Sequence, residues 1–516
     1  MDSNKIKLII LGVIAIFVAL YLGISAATAQ FEAIAWVVGS ATIIACLLLG
    51  PRIWLLIPFL GSIQFTLMIP GRPSTMLLAQ LLVVIFSLLM LFTRKLPFSM
   101  QFTELEYWIG LLLACVMQVY LRNPVGVSLF GGEMVGGRPY AMFGLSLVAA
   151  LFLCGLRVPP EEMRTGMKLS IVGGILNLCL GFVGWLVPSI GYWIGVVYMP
   201  TDRMQTEVVD RNAAGRVDFL VHAPLTLATW VSSFANPMKA CLNWRWAPLI
   251  LLSFAFAGIS GYRNVAGAVG LTYLVGLYYH GRIPAVIAAA VLSVLGMFFL
   301  AAANLAMPFP PNIQRALSFL PGTWDDRYQV DAKASTDWRV EIWKEVLLTD
   351  RWISNKWLGD GLGFSAAELA MQASVAISKG NMRLGTSGFD IQREAILSNG
   401  DYHSGPVSAI RVIGYFGLLV MAVAQFRLVV HAHRQIMRCK GTEWYPVTLF
   451  FCIPIIWAPV FFWAVFGGFS ADAPAILLGA GMLRMLENNL PLPAYIPASR
   501  RNYVPPYVRN AAANAG

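Results

Sequence analysis

The chain has 516 residues, of which 58% are hydrophobic and only 12% are charged, and its mean hydropathy is +0.68. A water-soluble protein of this composition could not cover its surface with polar atoms, so a soluble globular fold is excluded. The net charge of +11 comes from basic residues scattered through short loops. Because no basic stripe with interleaved aromatic residues occurs, we also exclude a nucleic-acid-binding protein.

Apolar runs long enough to cross a bilayer recur along the chain and predict an all-α polytopic membrane protein with about 12–14 transmembrane helices. The first run, 6–26, is too long for the hydrophobic region of a signal peptide, and no polar domain follows it. We therefore interpret it as the first span. The predicted spans are 6–26, 33–50, 53–69, 74–92, 105–121, 139–156, 169–187, 218–236, 247–260, 264–280, 283–303, 406–426, 446–466 and 471–485.

The distribution of lysine and arginine orients these helices. With the N-terminus in the cytoplasm, the short loops on the cytoplasmic side carry most of the basic residues, and this bias predicts a cytoplasmic N-terminus and C-terminus. The chain then divides into about eleven N-terminal helices (1–303), one large extracytoplasmic loop (304–405), about three C-terminal helices (406–489) and a proline-rich tail (490–516) that we expect to be disordered in the cytoplasm.

The large loop suggests a functional segment, since long loops are uncommon in compact proteins unless they are functional or disordered. Its segment STDWRVEIWKEVL (335–347) predicts a helix capped by Thr336 or Asp337. The two tryptophans of this helix suggest that it lies at the membrane interface. The segment WLGDGLGFS (357–365) predicts a glycine-rich turn, and residues 366–377 predict a second short helix.

His403 is the one histidine that this topology places in an extracytoplasmic loop. Pro406 suits the first turn of the helix that follows, because the N–H that proline lacks has no partner there. The sequence therefore predicts that His403 lies just ahead of a helix start at the outer surface. A histidine held there can act as a general base near neutral pH, and an interfacial histidine without a chemical role fits the same pattern equally well.

Several arginines lie on the same predicted side as His403. Arg263 lies between two apolar runs, where a charged side chain is costly and often functional, although a snorkelling arginine on a short hairpin fits too. Arg339 lies on the loop helix and could instead pair with a nearby glutamate. Arg216 precedes the eighth predicted span. Because a guanidinium makes bidentate contacts with phosphate, arginines that converge with His403 would suit a lipid-linked diphosphate.

Other chemistries lack their motifs. GDGLG has the spacing G-x-G-x-G rather than that of a dinucleotide-binding turn, and the sequence contains neither a P-loop nor an H-E-x-x-H motif. The cysteines and histidines show no metal-ligand spacing. We therefore expect no metal ion and no cofactor.

The second half of the chain, about residues 210–425, resembles the O-antigen ligase and O-antigen polymerase family of bacterial envelope enzymes. Each matching segment is loose, and their order along the chain is more specific than any one of them. The segments are SGYRNVAGAVGL (260–271), DWRVEIWKEVL (337–347), WLGDGLGFS (357–365), DYHSGPVSAIRVIGYFGLLV (401–420) and, more weakly, AAGRVDFLVHAPLTLA (213–228).

The resemblance implies a membrane glycosyltransferase fold of the C type in the bacterial inner membrane. It implies metal-independent transfer of a glycan from undecaprenyl diphosphate to an acceptor hydroxyl, and attack opposite the leaving group would invert the anomeric centre. It also implies roles for four residues. His403 would be the base that activates the acceptor, and Arg263 and Arg339 would bind the diphosphate, with Arg216 as a third arginine.

The chain departs from the family pattern at Ser404, where asparagine is usual, and at Arg411, near which an acidic residue is frequent. The acceptor therefore stays open among a lipid A core, another lipid-linked glycan and a protein. The alternative function is a multi-spanning transporter or flippase of a lipid-linked glycan. Such a protein needs no base in a large loop and usually contains internal repeats. A structural component of an export machine is the third alternative.

Overall fold

The structure, a computed structural model, describes residues 31–64, 73–126, 136–187, 217–318, 320, 322–364, 397, 400 and 402–491. Four predicted features lie outside these residues: the first span, the second loop helix, Arg216 and the tail from residue 492 onward.

The described residues form fifteen α-helices, two 3₁₀ helices (Gly50–Leu55 and Asp218–Leu220) and one isolated β-bridge between Phe98 and Leu156. The predicted all-α architecture is thereby confirmed for the described part of the chain. The α-helices are α1 (Phe31–Leu49), α2 (Leu56–Gly61), α3 (Thr75–Phe92), α4 (Glu104–Arg122), α5 (Arg138–Gly155), α6 (Pro160–Leu186), α7 (Ala223–Phe234), α8 (Pro237–Ala240), α9 (Ala247–Ile259), α10 (Arg263–Ala306), α11 (Pro311–Leu317), α12 (Asp326–Leu348), α13 (Gly405–Cys439), α14 (Tyr445–Ala464) and α15 (Phe469–Asn489).

Nine stretches of the described chain are long and apolar enough to cross a membrane, which supports a multi-pass membrane protein. The predicted spans 33–50 and 53–69 form one such stretch, Gly39–Gly61, which Gly50 interrupts with a φ of 54°. The predicted spans 218–236 and 247–260 are the shorter helices α7 and α9, of 12 and 13 residues. Both have a proline at their start, which keeps the preceding residues out of the helix.

Helix α10 contains 44 residues, whereas the sequence predicts two separate spans. A straight helix of this length would be about 65 Å long. However, the Arg263 Nε at the beginning of α10 donates to the Arg315 carbonyl at 3.2 Å. The segment 307–315, which follows α10, spans at most about 32 Å even when fully extended. The helix must therefore bend sharply, and the two predicted spans are its two arms.

The bend lies at Gly281–Pro284. A Cβ added at Gly281 would lie 2.5 Å from the Cβ of Ala285, whereas a straight helix separates such atoms by about 5–6 Å. Pro284 has no N–H to donate to the carbonyl four residues earlier, which weakens the helix at this point. Glycine is therefore needed at position 281 because a side chain would occupy the inside of the bend.

Polar side chains from neighbouring elements hold the bend in place. The Tyr279 carbonyl accepts hydrogen bonds from the Lys440 Nζ at 3.0 Å and from the Tyr445 hydroxyl at 2.9 Å. The His280 Nε2 lies 2.9 Å from the Ser232 carbonyl and donates to it. The Tyr279 contacts satisfy a backbone carbonyl next to the bend, and the His280 contact satisfies a carbonyl in the last turn of α7. Together they join α10 to α7 and α14.

A buried ion-pair network closes the bundle at the end opposite to the large loop. Arg484 contacts both Glu106 and Glu487, and the Arg484 and Glu106 side chains are only 6% and 2% exposed. The His431 Nδ1 lies 3.0 Å from a Glu487 oxygen. The network links α4, α13 and α15, and removal of one partner would leave a buried charge without compensation.

Helix α13 continues to Cys439, although the sequence predicts that the span ends at residue 426 and a basic loop follows. The extension is stable because Leu428, Ala432 and Ile436 are buried in the core at helical spacing. Only one face of this segment is polar, so it continues the helix beyond the apolar run.

We predict that Gly281→Ala destabilises the protein by about 1–3 kcal/mol, because the added methyl group overpacks the inside of the bend. Gly296→Ala in the same helix is the matched control, since a Cβ at Gly296 meets no atom within 4 Å. Thermal unfolding in detergent measures both variants. Equal melting temperatures for the two variants would contradict a sharp bend at Gly281.

Candidate functional site

Helix α13 is broken at Gly414, where φ is 71° and ψ is 179°. The break divides α13 into a short segment that begins at Gly405 and a long segment that ends at Cys439. Position 414 requires glycine for two reasons: the positive φ, and the fact that a Cβ there would collide with the Trp357 carbonyl. The break removes helical hydrogen bonds, so its carbonyls and amides need other partners.

A loop segment, 356–361, supplies those partners. Asp360 and Gly361 donate their backbone N–H groups to the carbonyls of Arg411 and Val412, at 2.7 and 3.1 Å. In return, the N–H groups of Tyr415 and Phe416 donate to the carbonyls of Lys356 and Trp357, at 2.8 and 3.3 Å. The large loop is thus docked into the helix through main-chain hydrogen bonds.

The glycine-rich turn predicted from WLGDGLGFS is present, and its spacing has a conformational cause. Gly359, Gly361 and Gly363 have φ values of 81°, 109° and 79°, a region that residues with a side chain rarely adopt. The Asp360 carboxylate accepts from the N–H groups of Ser354 and Asn355, at 2.6 and 3.0 Å. Alternate glycines therefore let the chain turn tightly enough to reach α13.

The same turn rests on the ends of α4 and α5. Asn123 donates its side-chain N–H to the Asp360 carbonyl at 3.1 Å. The Tyr140 hydroxyl accepts from the Leu362 N–H at 2.9 Å, and the Gly136 N–H donates to the Phe364 carbonyl at 2.9 Å. The turn thus joins two helix ends and the break in α13 into one rigid floor.

Arg411 is buried within this floor and is 6% exposed. Its guanidinium lies 4.3 Å from the centre of the Phe364 ring and donates to the Gly361 carbonyl at 3.5 Å. It also packs against Gly400, where a Cβ would collide with the guanidinium. Arg411 therefore connects the glycine-rich turn with the returning end of the large loop.

His403 lies two residues before the start of α13, as predicted, with Pro406 in the first turn of the helix. Its ring stacks on the Phe466 ring, with a centroid separation of 5.4 Å and an interplanar angle of 25°. The backbone of His403 has a φ of 49°, which is uncommon for a residue with a side chain. The half-buried imidazole is therefore held in one orientation by both its backbone and its stacking partner.

Asp472 is a site residue that the sequence analysis missed. Its Oδ2 accepts from the Gly468 N–H at 2.8 Å. A Cβ at Gly467 would lie 2.7 Å from the Asp472 Oδ2 and 3.2 Å from the Gly405 Cα, so the carboxylate lies close to the start of α13. The available signal was an ionisable residue in the first turn of the last apolar run, where a charge is costly.

Helix α12 begins at Asp326, so the predicted start at residue 335 is wrong. Thr336 and Asp337 lie inside the helix and are not its N-cap. The earlier residues extend the helix because they include strong helix formers, such as Ala332 and Lys333.

The end of α12 packs against the segment that carries His403. Ile342 and Val346 are buried in one cluster with Tyr402 and Val407. The Trp343 indole N–H donates to the Tyr402 carbonyl at 3.0 Å. Trp343, which we expected at the membrane interface, instead fixes the residue that precedes His403.

Arg339 lies one helical turn before Trp343 and therefore on the same face of α12. Its guanidinium is half-buried, and its Nε is buried without a hydrogen bond. Within the described ranges it has no carboxylate partner, and burial lowers the pKa of Arg339 from its ordinary value. Among the described residues no ion pair joins Arg339 to a neighbouring glutamate, and a Glu345 oxygen accepts from the Trp352 indole N–H at 2.8 Å.

Arg263, the first residue of α10, contacts the beginning of the large loop. Its Nε donates to the Arg315 carbonyl in α11. Helix α11 is in turn joined to the segment before α12, because the Gln314 side chain accepts from the Asp325 N–H at 3.0 Å. Arg216 lies outside the described residues. The contacts therefore pack the α12 face that carries Arg339 against the segment that carries His403, and they hold Arg263 against the beginning of the loop.

Tyr402 is 1% exposed, and burial raises the pKa of its phenol to about 12, against the lowering effect of the nearby Arg411 charge. Tyr402 therefore remains neutral near pH 7 and serves as a packing residue beside His403.

No protein-family model matches the chain, and no curated protein matches it significantly. The chemical capacity of the site must therefore be judged from its own groups. These are a fixed imidazole, a nearby carboxylate and a guanidinium without a described counter-ion. Together they can accept a proton and bind an anion.

We predict that Gly414→Ala destabilises the protein far more than Gly441→Ala. Both glycines have a positive φ, but a Cβ at Gly441 meets no atom within 4 Å. The control should lose only the strain energy of a left-handed alanine, about 1–2 kcal/mol, whereas Gly414→Ala also forces the loop away from α13. Thermal unfolding and limited proteolysis of the loop report the difference. Similar stability and similar cleavage would contradict docking at the break.

Proposed function

We propose that the chain is a membrane glycosyltransferase that moves a glycan from undecaprenyl diphosphate to an acceptor hydroxyl, as in O-antigen ligases and polymerases. The observation that carries the proposal is the half-buried Arg339 guanidinium, which has no carboxylate partner among the described residues and lies on the α12 face that holds the His403 segment. A buried cation without a counter-ion is costly. An anionic substrate such as a diphosphate would compensate that cost.

His403 is the base in the proposed reaction. Its imidazole takes the proton of the acceptor hydroxyl, while the acceptor oxygen attacks the anomeric carbon. The bond between that carbon and the diphosphate oxygen breaks, and the diphosphate leaves with the electron pair, so the anomeric centre is inverted. The Asp472 carboxylate, close to the start of α13, favours the imidazolium that forms on proton transfer.

Arg339 stabilises the charge that develops on the departing diphosphate. Arg263, which lies against α11 at the beginning of the loop, would contact the same group when the donor is bound, with Arg216 as a further contact. An activated diphosphate is a good leaving group, so the reaction needs neither a metal ion nor a strong general acid. The donor's isoprenoid chain would lie in the bilayer beside the helices.

The position of the site supports an extracytoplasmic reaction in the bacterial inner membrane. His403 and the glycine-rich turn lie where α4 ends and α13 begins, whereas the ion-pair network and the basic residues after α3, α5 and α13 lie at the other end of the bundle. By the positive-inside rule, that basic end faces the cytoplasm. The acceptor would be a lipid A core for a ligase or a second lipid-linked glycan for a polymerase.

We predict that His403→Ala lowers the rate of undecaprenyl diphosphate release by about 10²–10⁴-fold, the usual contribution of a general base. Arg339→Gln should lower it by about 10²–10³-fold, as for the loss of one donor to a developing anion. The purified variants are assayed in nanodiscs with an undecaprenyl-diphosphate glycan and candidate acceptors. Arg351→Gln is the matched control, because Arg351 is an exposed arginine of the same loop and should leave the rate unchanged.

The assay also separates the alternatives. The acceptor that gains mass distinguishes a ligase from a polymerase. Release by His403→Ala at the wild-type rate would remove the base from the mechanism. If no acceptor supports release by the wild-type protein, the transferase is rejected, and flipping of the lipid-linked glycan becomes the activity to measure.

A further inference from the structure

We infer that a cavity at the end of the bundle opposite to His403 binds the headgroup of an anionic phospholipid. The cavity has a volume of about 410 Å³. It lies between the end of α1, the segment that follows α3 and the segment that precedes α6. Its charged lining residues are Arg52, Arg157 and Glu162, and its apolar lining includes Pro51, Pro97 and Pro159.

The cavity walls are built by main-chain contacts. The Arg157 N–H donates to the Pro97 carbonyl and the Ser99 N–H donates to the Gly155 carbonyl, each at 2.8 Å. The Val158 N–H donates to the Asn489 side chain at 3.0 Å. Three prolines in the lining further restrict the backbone. The site is therefore preformed, which reduces the entropy cost of binding.

The charge of the lining favours an anion. It contains two guanidiniums and one carboxylate, which leaves one net positive charge. The Glu162 carboxylate is already engaged, because it accepts from the Arg52 Nε at 3.0 Å and from the Trp54 indole N–H at 3.4 Å. Arg157 donates to the Ser99 carbonyl at 3.1 Å and to the Asn488 carbonyl at 3.5 Å. These bonds leave further guanidinium donors available, as five N–H groups are present.

The neighbouring surface favours a lipid over a free anion. The last turns of α1, next to the cavity, expose Ile44, Leu47 and Leu48, which are 57%, 57% and 83% exposed. Acyl chains can lie along this surface while the phosphate lies between Arg52 and Arg157. Basic pockets of this kind at the cytoplasmic face of membrane helices select anionic headgroups.

The inference is tested by native mass spectrometry and thermal unfolding of the delipidated full-length protein. We expect one phosphatidylglycerol or cardiolipin molecule to bind and to raise the melting temperature. Phosphatidylcholine, which has the same phosphate but no net charge, and inorganic phosphate at equal concentration should do neither. Arg157→Gln should weaken phosphatidylglycerol binding at least tenfold.

Two further variants keep the test decisive. Arg52→Gln removes the exposed guanidinium without touching the Arg157 contacts and should weaken binding several-fold, even if Arg157→Gln folds poorly. Lys95→Gln, an exposed cation outside the lining, should bind phosphatidylglycerol like the wild type. Unchanged binding by Arg52→Gln and Arg157→Gln, or equal binding of phosphatidylcholine, overturns the inference. Stabilisation by inorganic phosphate alone would show an anion site without lipid specificity and overturns it as well.

Discussion

The docking of the large loop into the break in helix α13 is the constraint on which the rest of the site depends. At Gly414 the helix gives up its own hydrogen bonds, and the segment 356–361 replaces them with four main-chain bonds to the residues on either side of the break. These bonds join segments that are about 50 residues apart in sequence, since the part of the loop that returns to His403 lies between them. The break thus holds the loop segment 356–361, the first segment of α13 and the nearby His403 together as one unit.

Every other contact of the site follows from that unit. The glycine-rich turn also rests on α4 and α5, and Arg411 ties the turn to the returning loop. Helix α12 joins through the Trp343 indole, which fixes the segment next to His403 and places Arg339 one turn away. The turn between α14 and α15 supplies Phe466, and the first turn of α15 supplies Asp472, on the remaining side. The proposed base and the proposed anion-binding group are therefore held by rigid elements, as preorganised catalysis requires.

Local patterns predicted the elements of this site that depend on local chemistry. Three alternate glycines predicted the turn, and Pro406 predicted that His403 precedes a helix start. The true start of α12 was missed because the polar residues at 326–334 form helix as readily as loop, and because Asp325, a residue type that favours an N-cap, was passed over in favour of Thr336 and Asp337. Asp472 was missed because its role depends on packing between α15 and α13, which are distant in sequence. The bend in α10 was predicted as a loop between two spans, because glycine and proline interrupt the apolar pattern in the same way at a loop and at a bend within one helix.

The number of spans also depends on packing between distant elements as well as on the local sequence pattern. Proline-started helices such as α7 and α9 are apolar but short, so hydropathy alone overstates their length. Their packing against α10, rather than their own length, holds them in the bundle. Side-chain convergence across the large loop is equally nonlocal. The sequence placed Arg263, Arg339 and His403 on one side of the membrane. The structure adds the contacts of the segments that carry them, with Arg263 against α11 and the Arg339 face of α12 against the His403 segment.

The most direct test of the central claim, that the docked loop presents Arg339 and His403 to one anionic lipid, is a cryo-electron microscopy structure with undecaprenyl diphosphate in nanodiscs. We expect diphosphate density within hydrogen-bonding distance of the Arg339 guanidinium, beside the His403 ring, with the turn still docked at Gly414. Diphosphate density elsewhere in the bundle, or a donor-bound state in which α13 is continuous through Gly414, would contradict it.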